Sequence, residues 1–193
     1  CGHNTDDSPL LSSLFSFNHQ DGACPVCDGL GYVKQCNENK LISNPEKSVY
    51  DGAMDANKRS RFYGEADGQY VWTLKAVAEE KGIDYGRPWK ELERNEKEIA
   101  LYGTGNQQYH VKWKYRRGKR SGIHEFSGPW KGFARYIEEE YELQHTGKKG
   151  EMLRELLDDV VCTSCNGKRL KAEALRVLFA GYNISEMLDM SVH

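Results

Sequence analysis

The 193-residue chain has no apolar run long enough to cross a membrane and no signal-peptide pattern. Its net charge is −2, so the whole chain gives no polyelectrolyte signal, and any preference for a charged partner must come from local blocks. Phosphate-cradling glycine patterns are also missing. Among 19 glycines, Gly103-Thr104-Gly105 and Gly118 fit neither G-x-x-x-x-G-K-[ST] nor a G-x-G-x-x-G that opens a helix, which excludes a nucleotide site of either type. The six histidines are scattered with no H-x-x-x-H spacing, and there is no internal repeat apart from one short cysteine motif. Hydrophobic content of 38% is low and charged content of 29% is high. That balance argues against a large enzyme core and for an elongated or two-part body.

The repeated motif is the strongest signal present. Cys24-Pro25-Val26-Cys27-Asp28-Gly29 and Cys162-Thr163-Ser164-Cys165-Asn166-Gly167 both read C-x-x-C-x-G, with 134 residues between Cys27 and Cys162. Four thiolates in two pairs suit one structural Zn²⁺ per chain, with ligands Cys24, Cys27, Cys162 and Cys165. A closed shell of four sulfurs leaves no position for a reacting water. The trailing glycines let the backbone turn tightly beneath the sulfurs. The alternative is three disulfides among the six cysteines, which a secreted chain would form. The paired spacing and the missing signal sequence favour reduced thiolates on zinc in the cytoplasm. Cys36 reads as a small buried residue or a replacement ligand.

The long spacer predicts an inserted domain on a zinc-clasped base, with the base at 1–36 and 158–193 and the insertion at 37–157. The expected class is α+β: a zinc-knuckle base of short strands and loops, carrying several helices and a basic β-hairpin. Residues 1–20, around the apolar stretch Leu10–Phe17, read as a loop with a short strand, Leu30–Lys34 as a strand, and 36–60 as turn-rich connection. The periodicity predicts helices over 69–81, from Pro88 to Leu101, from Trp130 through Phe133, Ile137 and Tyr141, and over 151–160. Residues 168–180 read as extended, with a helix beginning after Asn183.

A second signal lies between Tyr109 and Tyr136, where eight basic residues meet one acid, Glu125. Alternation over 109–115 predicts a strand with Lys112, Lys114 and Arg116 on one face and Val111, Trp113 and Tyr115 on the other. A turn near Arg117-Gly118-Lys119 returns the chain along Ser121–Phe126, with His110 and His124 facing each other. Lys112, Lys114, Arg116, Arg117, Lys119, Arg120 and Lys131 are thus candidates for contact with the phosphates of double-stranded DNA. No recognition-helix pattern for reading bases is visible. The competing reading is a solvated edge strand guarded by Lys and Arg. Glu138-Glu139-Glu140 with Glu142 reads as a solvated helix face, because consecutive helical residues point in different directions and form no dyad.

Leu14-Phe15-Ser16-Phe17-Asn18 and Gly22-Ala23-Cys24-Pro25-Val26-Cys27-Asp28-Gly29-Leu30-Gly31 resemble a stretch of the UvrA family, the damage-recognition subunits of the bacterial excision-repair nuclease. Cys162 to Leu170 followed by Ile184 to Ser191, Pro88-Trp89, and Leu101-Tyr102-Gly103-Thr104-Gly105 are similar to the same family in the same order. The resemblance implies part of the first ATPase half with its insertion domain, zinc on the two C-x-x-C pairs, and a place beside the DNA path of a dimer. It also implies that Cys1 closes a preceding zinc site. The chain reads as a piece of a longer polypeptide: the ATP-binding motifs, the L-S-G-G signature and the region that docks the UvrB subunit are not in it. This segment is therefore expected to have no catalysis of its own, with ATP hydrolysis, the homodimer and UvrB belonging to the parent. Two rival expectations remain, a protein-interaction or structural arm of a UvrA-like ATPase and a zinc-dependent thiol chaperone. Only Cys24–Gly31 fits the knuckle repeat of the second.

Overall fold

The computed structural model describes residues 11–117 and 120–190, with Arg116, Arg117 and Arg120 given as backbone. In chain order the elements are β1 (Tyr32–Cys36), α1 (Glu38–Leu41), α2 (Lys58–Tyr63), α3 (Gln69–Lys81), α4 (Arg94–Tyr102), β2 (Gln108–Arg117) and β3 (Arg120–Pro129). There follow α5 (Phe133–Leu143), α6 (Gly147–Arg154), β4 (Leu157–Val161), α7 (Ala172–Arg176), β5 (Leu178–Phe179), β6 (Tyr182–Asn183) and α8 (Ile184–Leu188). The strands pair in twos, β1 with β4, β2 with β3 and β5 with β6, so the chain is α+β. It divides into two compact units, Cys1–Lys34 with Asp159–His193, and Gln35–Asp158. Among the described residues no helix is long and apolar enough to cross a membrane.

The Gln35–Asp158 unit has one hydrophobic core. The helix expected over 69–81 forms as α3, and its Val71, Leu74, Val77 and Ala78 are buried. Trp130, Phe133 and Ile137 are fully buried, as their spacing predicts, but Trp130 lies before the helix that starts at Phe133. Its indole Nε1 donates to the Ile99 carbonyl at 2.7 Å, and its ring meets Phe133 edge-on at 5.0 Å. Burying a side chain of Phe size contributes about 1.5–3 kcal/mol, so this cluster is a large part of a marginal total.

Several local expectations are corrected by competing hydrogen bonds. Ser12–Phe15 is a 3-10 turn and not a strand, tied down by Ser13 Oγ donating to Asp21 at 2.7 Å. The connection over 36–60 holds α1, because the Asn37 side chain accepts from the Asn39 and Lys40 amides and caps a helix start. The single helix expected from Pro88 to Leu101 is a 3-10 turn followed by α4. Leu92 is extended, and Glu93 with Glu96 forms a capping box that begins the chain's helical turns afresh. The helix expected to reach residue 160 stops at Arg154, and Leu157–Val161 becomes a strand paired with β1. Ala172–Arg176, read as extended, is helical.

The acidic run on α5 is also corrected, since it is not uniformly solvated. Glu140 is 15% exposed and holds Arg59 at 2.5 Å, Lys149 at 2.6 Å and the Tyr63 hydroxyl at 2.7 Å. Burial pushes its carboxyl up, but these donors outweigh burial and hold it below the ordinary glutamate value. Two residues earlier, Glu138 accepts from the Cys36 amide at 2.9 Å, and burial raises its pKa. The two carboxylates therefore respond to acid with opposite sign. Stability from Glu140 is present above the ordinary glutamate pKa and lost as pH falls through its depressed value. The raised Glu138 instead favours the folded state more as pH falls.

Glu140→Gln is expected to destabilise the chain by about 3 kcal/mol at neutral pH, because it leaves Arg59 buried and unpaired. Glu139→Gln, beside it, should cost less than about 0.5 kcal/mol. Urea melts of the two variants check this, and the Glu140 gap should narrow as the pH falls below 4.5.

Candidate metal centre and basic hairpin

The two cysteine motifs come together in the Cys1–Lys34 and Asp159–His193 unit and take the same local shape. In each, the two residues after the second cysteine are left-handed: Asp28 and Gly29 at φ of 47° and 73°, Asn166 and Gly167 at 49° and 79°. Gly29 is required, because a Cβ there would lie 1.9 Å from the Phe17 carbonyl oxygen. The left-handed turns aim backbone amides at sulfur: Gly31 N–H donates to Cys27 Sγ at 3.2 Å, and Arg169 N–H to Cys165 Sγ at 3.4 Å. Knuckle two thus has an arginine at φ 69° where knuckle one has Gly31. Its side chain holds that backbone in place. Arg169 Nε donates to the Gly29 carbonyl at 2.6 Å, and the guanidinium lies 3.5 Å from the centre of the Phe17 ring. Cross-links from Cys24 N–H to the Arg169 carbonyl and from Cys162 N–H to the Gly31 carbonyl, both 2.9 Å, join the knuckles reciprocally.

All four thiols are buried, and their sulfurs lie within 4.8 Å of one another. Across the two motifs, Cys27 and Cys165 are 3.7 Å apart and Cys24 and Cys162 4.0 Å. A disulfide needs about 2.05 Å. A tetrahedral ion with metal–sulfur bonds of about 2.3 Å sets its ligands about 3.8 Å apart. The four sulfurs are close enough to hold one tetrahedral metal ion among them. Without a cation, burial raises Cys27 to about 12, whereas Cys24 is drawn down to about 7, where amide donors at Val26 and Cys27 outweigh its burial. A cation at the centre would ionise all four. Cys36 lies in the other unit, where burial lifts its thiol to about 12, and it is not one of the four. Cys1 lies outside the described residues.

The basic hairpin forms with Val111 opposite Phe126, Lys112 opposite Glu125, Trp113 opposite His124 and Lys114 opposite Ile123. Alternation puts His110, Lys112 and Lys114 on one face, and the buried Tyr109 and Val111 with the half-buried Trp113 and Tyr115 on the other. His110 and His124 do not face each other: His110 stands opposite Ser127, and His124 lies on the aromatic face against Trp113 and Phe126. Trp113 Nε1 donates to the Asp67 carbonyl at 2.7 Å, which anchors that face. Lys112 and Lys114 are exposed, with Lys112 at 3.8 Å from Glu125. Lys131 is paired with Glu139 at 2.7 Å, so a phosphate would have to compete with that carboxylate. Arg116, Arg117 and Arg120 continue the strands toward the turn, and Lys119 lies outside the described residues.

A family model described as the UvrA DNA-binding domain matches residues 38–155. The chain belongs to the UvrA family. It is 32% identical over 192 residues to the UvrABC system protein A of Salmonella typhimurium strain LT2 and to that of Escherichia coli strain K12, in each case covering 100% of this chain and 19% of the relative. The corresponding protein of Lactococcus lactis is 33% identical with the same coverage. Among solved structures, UvrA2 from Deinococcus radiodurans aligns with a TM-score of 0.62 at 25% identity, over 89% of this chain and 21% of that one. The chain therefore spans about a fifth of the length of these UvrA relatives.

Arg169 escapes a reading based on ligand type alone. Laying the Gly31 position of knuckle one onto knuckle two would have singled it out. Cobalt(II) titrated into the metal-free chain should give the sulfur-to-metal and visible bands of a tetrahedral thiolate site, saturating at one ion per chain. Arg169→Ala should weaken that affinity about tenfold, because it removes the arm over Gly29 and leaves the left-handed backbone. Arg169→Gly relieves the backbone and should lose less.

Proposed function

We propose that the chain is a zinc-stabilised, DNA-contacting module of the damage-recognition ATPase of nucleotide excision repair. Zn²⁺ on Cys24, Cys27, Cys162 and Cys165 fixes the knuckle unit, and the hairpin meets the backbone phosphates of duplex DNA. The observation that carries the reading is the pair of exposed cations Lys112 and Lys114 on one face of a two-stranded ribbon, with Arg116 next on that face by alternation and Arg117 paired with Arg120 at the ribbon's end. These residues lie inside the segment matched by the UvrA DNA-binding domain. Lys and Arg side chains spaced along a ribbon neutralise phosphates without reading bases, so the binding should depend strongly on salt and weakly on sequence.

In this reading the zinc is structural, since four sulfurs close its coordination shell, and it supplies no reaction. The module itself catalyses nothing. ATP binding and hydrolysis, the homodimer and the UvrB partner belong to the whole protein, which acts in the cytoplasm. Glu125 stands beside Lys112 on the hairpin and Glu139 of α5 beside Lys131, so the strongest phosphate contacts are assigned to Lys114 and the positions nearer the turn.

Reversing Arg116, Arg117, Lys119 and Arg120 together to Glu should abolish measurable binding of a perfect duplex. Neutralising them to Gln should lower the salt slope of log K by about 3 to 4, close to 0.9 for each phosphate no longer neutralised. Fluorescence anisotropy across a salt series reads both. Unchanged affinity in the reversed variant would sink the phosphate-contact reading and favour a protein-interaction arm.

A further inference from the structure

The cationic face of β2 does not look only to solvent. It forms one wall of a groove of about 800 Å³ whose other wall is α3, with His110, Lys112 and Lys114 on the strand side and Trp72 and Lys75 on the helix side. The groove is too large for a lone inorganic anion and falls in the range of small-molecule sites. Ala76 and Ile83 add apolar lining, and the carboxylates of Glu79 and Asp84 line the same groove. Cations, a flat ring and carboxylate acceptors lining one groove match a ligand that carries an anionic group, a planar ring and hydrogen-bond donors.

The ring is already engaged by cations. Lys75 Nζ lies 4.6 Å from the centre of the Trp72 ring and 5.0 Å from that of Tyr50, and Lys114 Nζ lies 6.0 Å from Trp72. Ammonium groups over an aromatic face are held by its quadrupole and released when a better partner arrives. A phosphate is such a partner for both lysines, and their departure frees the indole face for stacking. Trp72 Nε1, shielded from solvent, has no acceptor among the described residues. Its place in the groove therefore rests on the ring and not on a hydrogen bond.

We propose that this groove takes one unpaired nucleotide, its phosphate between Lys75, Lys112 and Lys114 and its base against Trp72. A cationic track beside an aromatic platform is how single strands are bound without sequence preference, and an extruded base leaves its stack most cheaply where pairing is already lost. Glu79 and Asp84 line the same groove and offer acceptors for the amino groups of a base. The inference rests on the DNA-contact reading and adds a site to it: the hairpin holds the duplex by its phosphates, and the groove rewards a nucleotide that has come out of it.

The test compares, by anisotropy with the zinc-loaded chain, a perfect duplex with the same duplex carrying a central three-nucleotide bubble. The bubble should bind about tenfold tighter, the gain that stacking of a base on an aromatic ring provides. Trp72→Phe keeps the ring and should keep the preference. Trp72→Leu should erase it while leaving perfect-duplex affinity within about twofold. Should Trp72→Leu fail to fold, Lys75→Glu decides in its place and should also erase the preference. Competition by millimolar dTMP that removes the preference would show that a free nucleotide suffices, whereas an inert dTMP beside an intact preference shows that the strand is needed. Perfect-duplex binding without any bubble preference would overturn the groove and leave the hairpin reading standing. A preference that survives both Trp72→Leu and Lys75→Glu would also overturn it. Binding of neither DNA would end both readings.

Discussion

Four sulfurs packed within 4.8 Å cannot all carry charge unless a cation sits among them. Two unit charges 4 Å apart repel by about 4 kcal/mol at an effective dielectric near 20, and the cluster has six such pairs. A metal ion among them would turn that repulsion into attraction between segments separated by 134 residues. Closing a loop of that length costs about 5 kcal/mol of chain entropy when nothing inside it is folded. The left-handed residues, the two amide-to-sulfur bonds and Arg169 over Gly29 all serve to bring the sulfurs to one point. Each is intelligible only from that point outward.

The Gln35–Asp158 unit is organised differently, by apolar burial with a few committed charges. Trp130 and Phe133 fill its centre, while Glu140 gathers Arg59, Lys149 and Tyr63 at its margin. A carboxylate with three donors can be buried at tolerable cost, whereas its neighbour Glu138 has one amide and is pushed toward the neutral form. The same chemistry separates the cations of β2. Lys112 leans toward Glu125, whereas Lys114 lies beside the Trp72 ring, so residues two apart on one face have different second partners.

Much of this was legible from residue type and spacing. Paired cysteines with a trailing glycine specify both ligand chemistry and turn, and period-two alternation specified the hairpin faces through Tyr115. Apolar period-3.6 spacing gave α3 its limits because Gly82 follows it directly. What escaped were features set by partners distant in sequence or by side-chain caps. Asn37 and Glu93 start helices by accepting backbone amides, which hydrophobic periodicity does not register. Val160 and Val161 became strand because β1 lies beside them, not through any change in local pattern. Glu138 and Glu140 look alike in a run of acids, and only Arg59 and Cys36, many residues earlier, distinguish them. The groove beside α3 was invisible for the same reason, since it exists only where helix and hairpin meet.

The hairpin register carries a consequence for how such a chain can change length. Arg117 pairs with Arg120, leaving two residues to turn the chain, and every pair behind them inherits its facing from that count. Inserting one residue in β2 would invert the facing of every side chain on one side of the insertion, exchanging lysines for aromatic rings there. Insertions or deletions of two preserve both faces and merely shorten or extend the arm. Relatives that differ in arm length are therefore expected to differ by even numbers of residues in each strand, with odd changes confined to the turn or absorbed by a bulge.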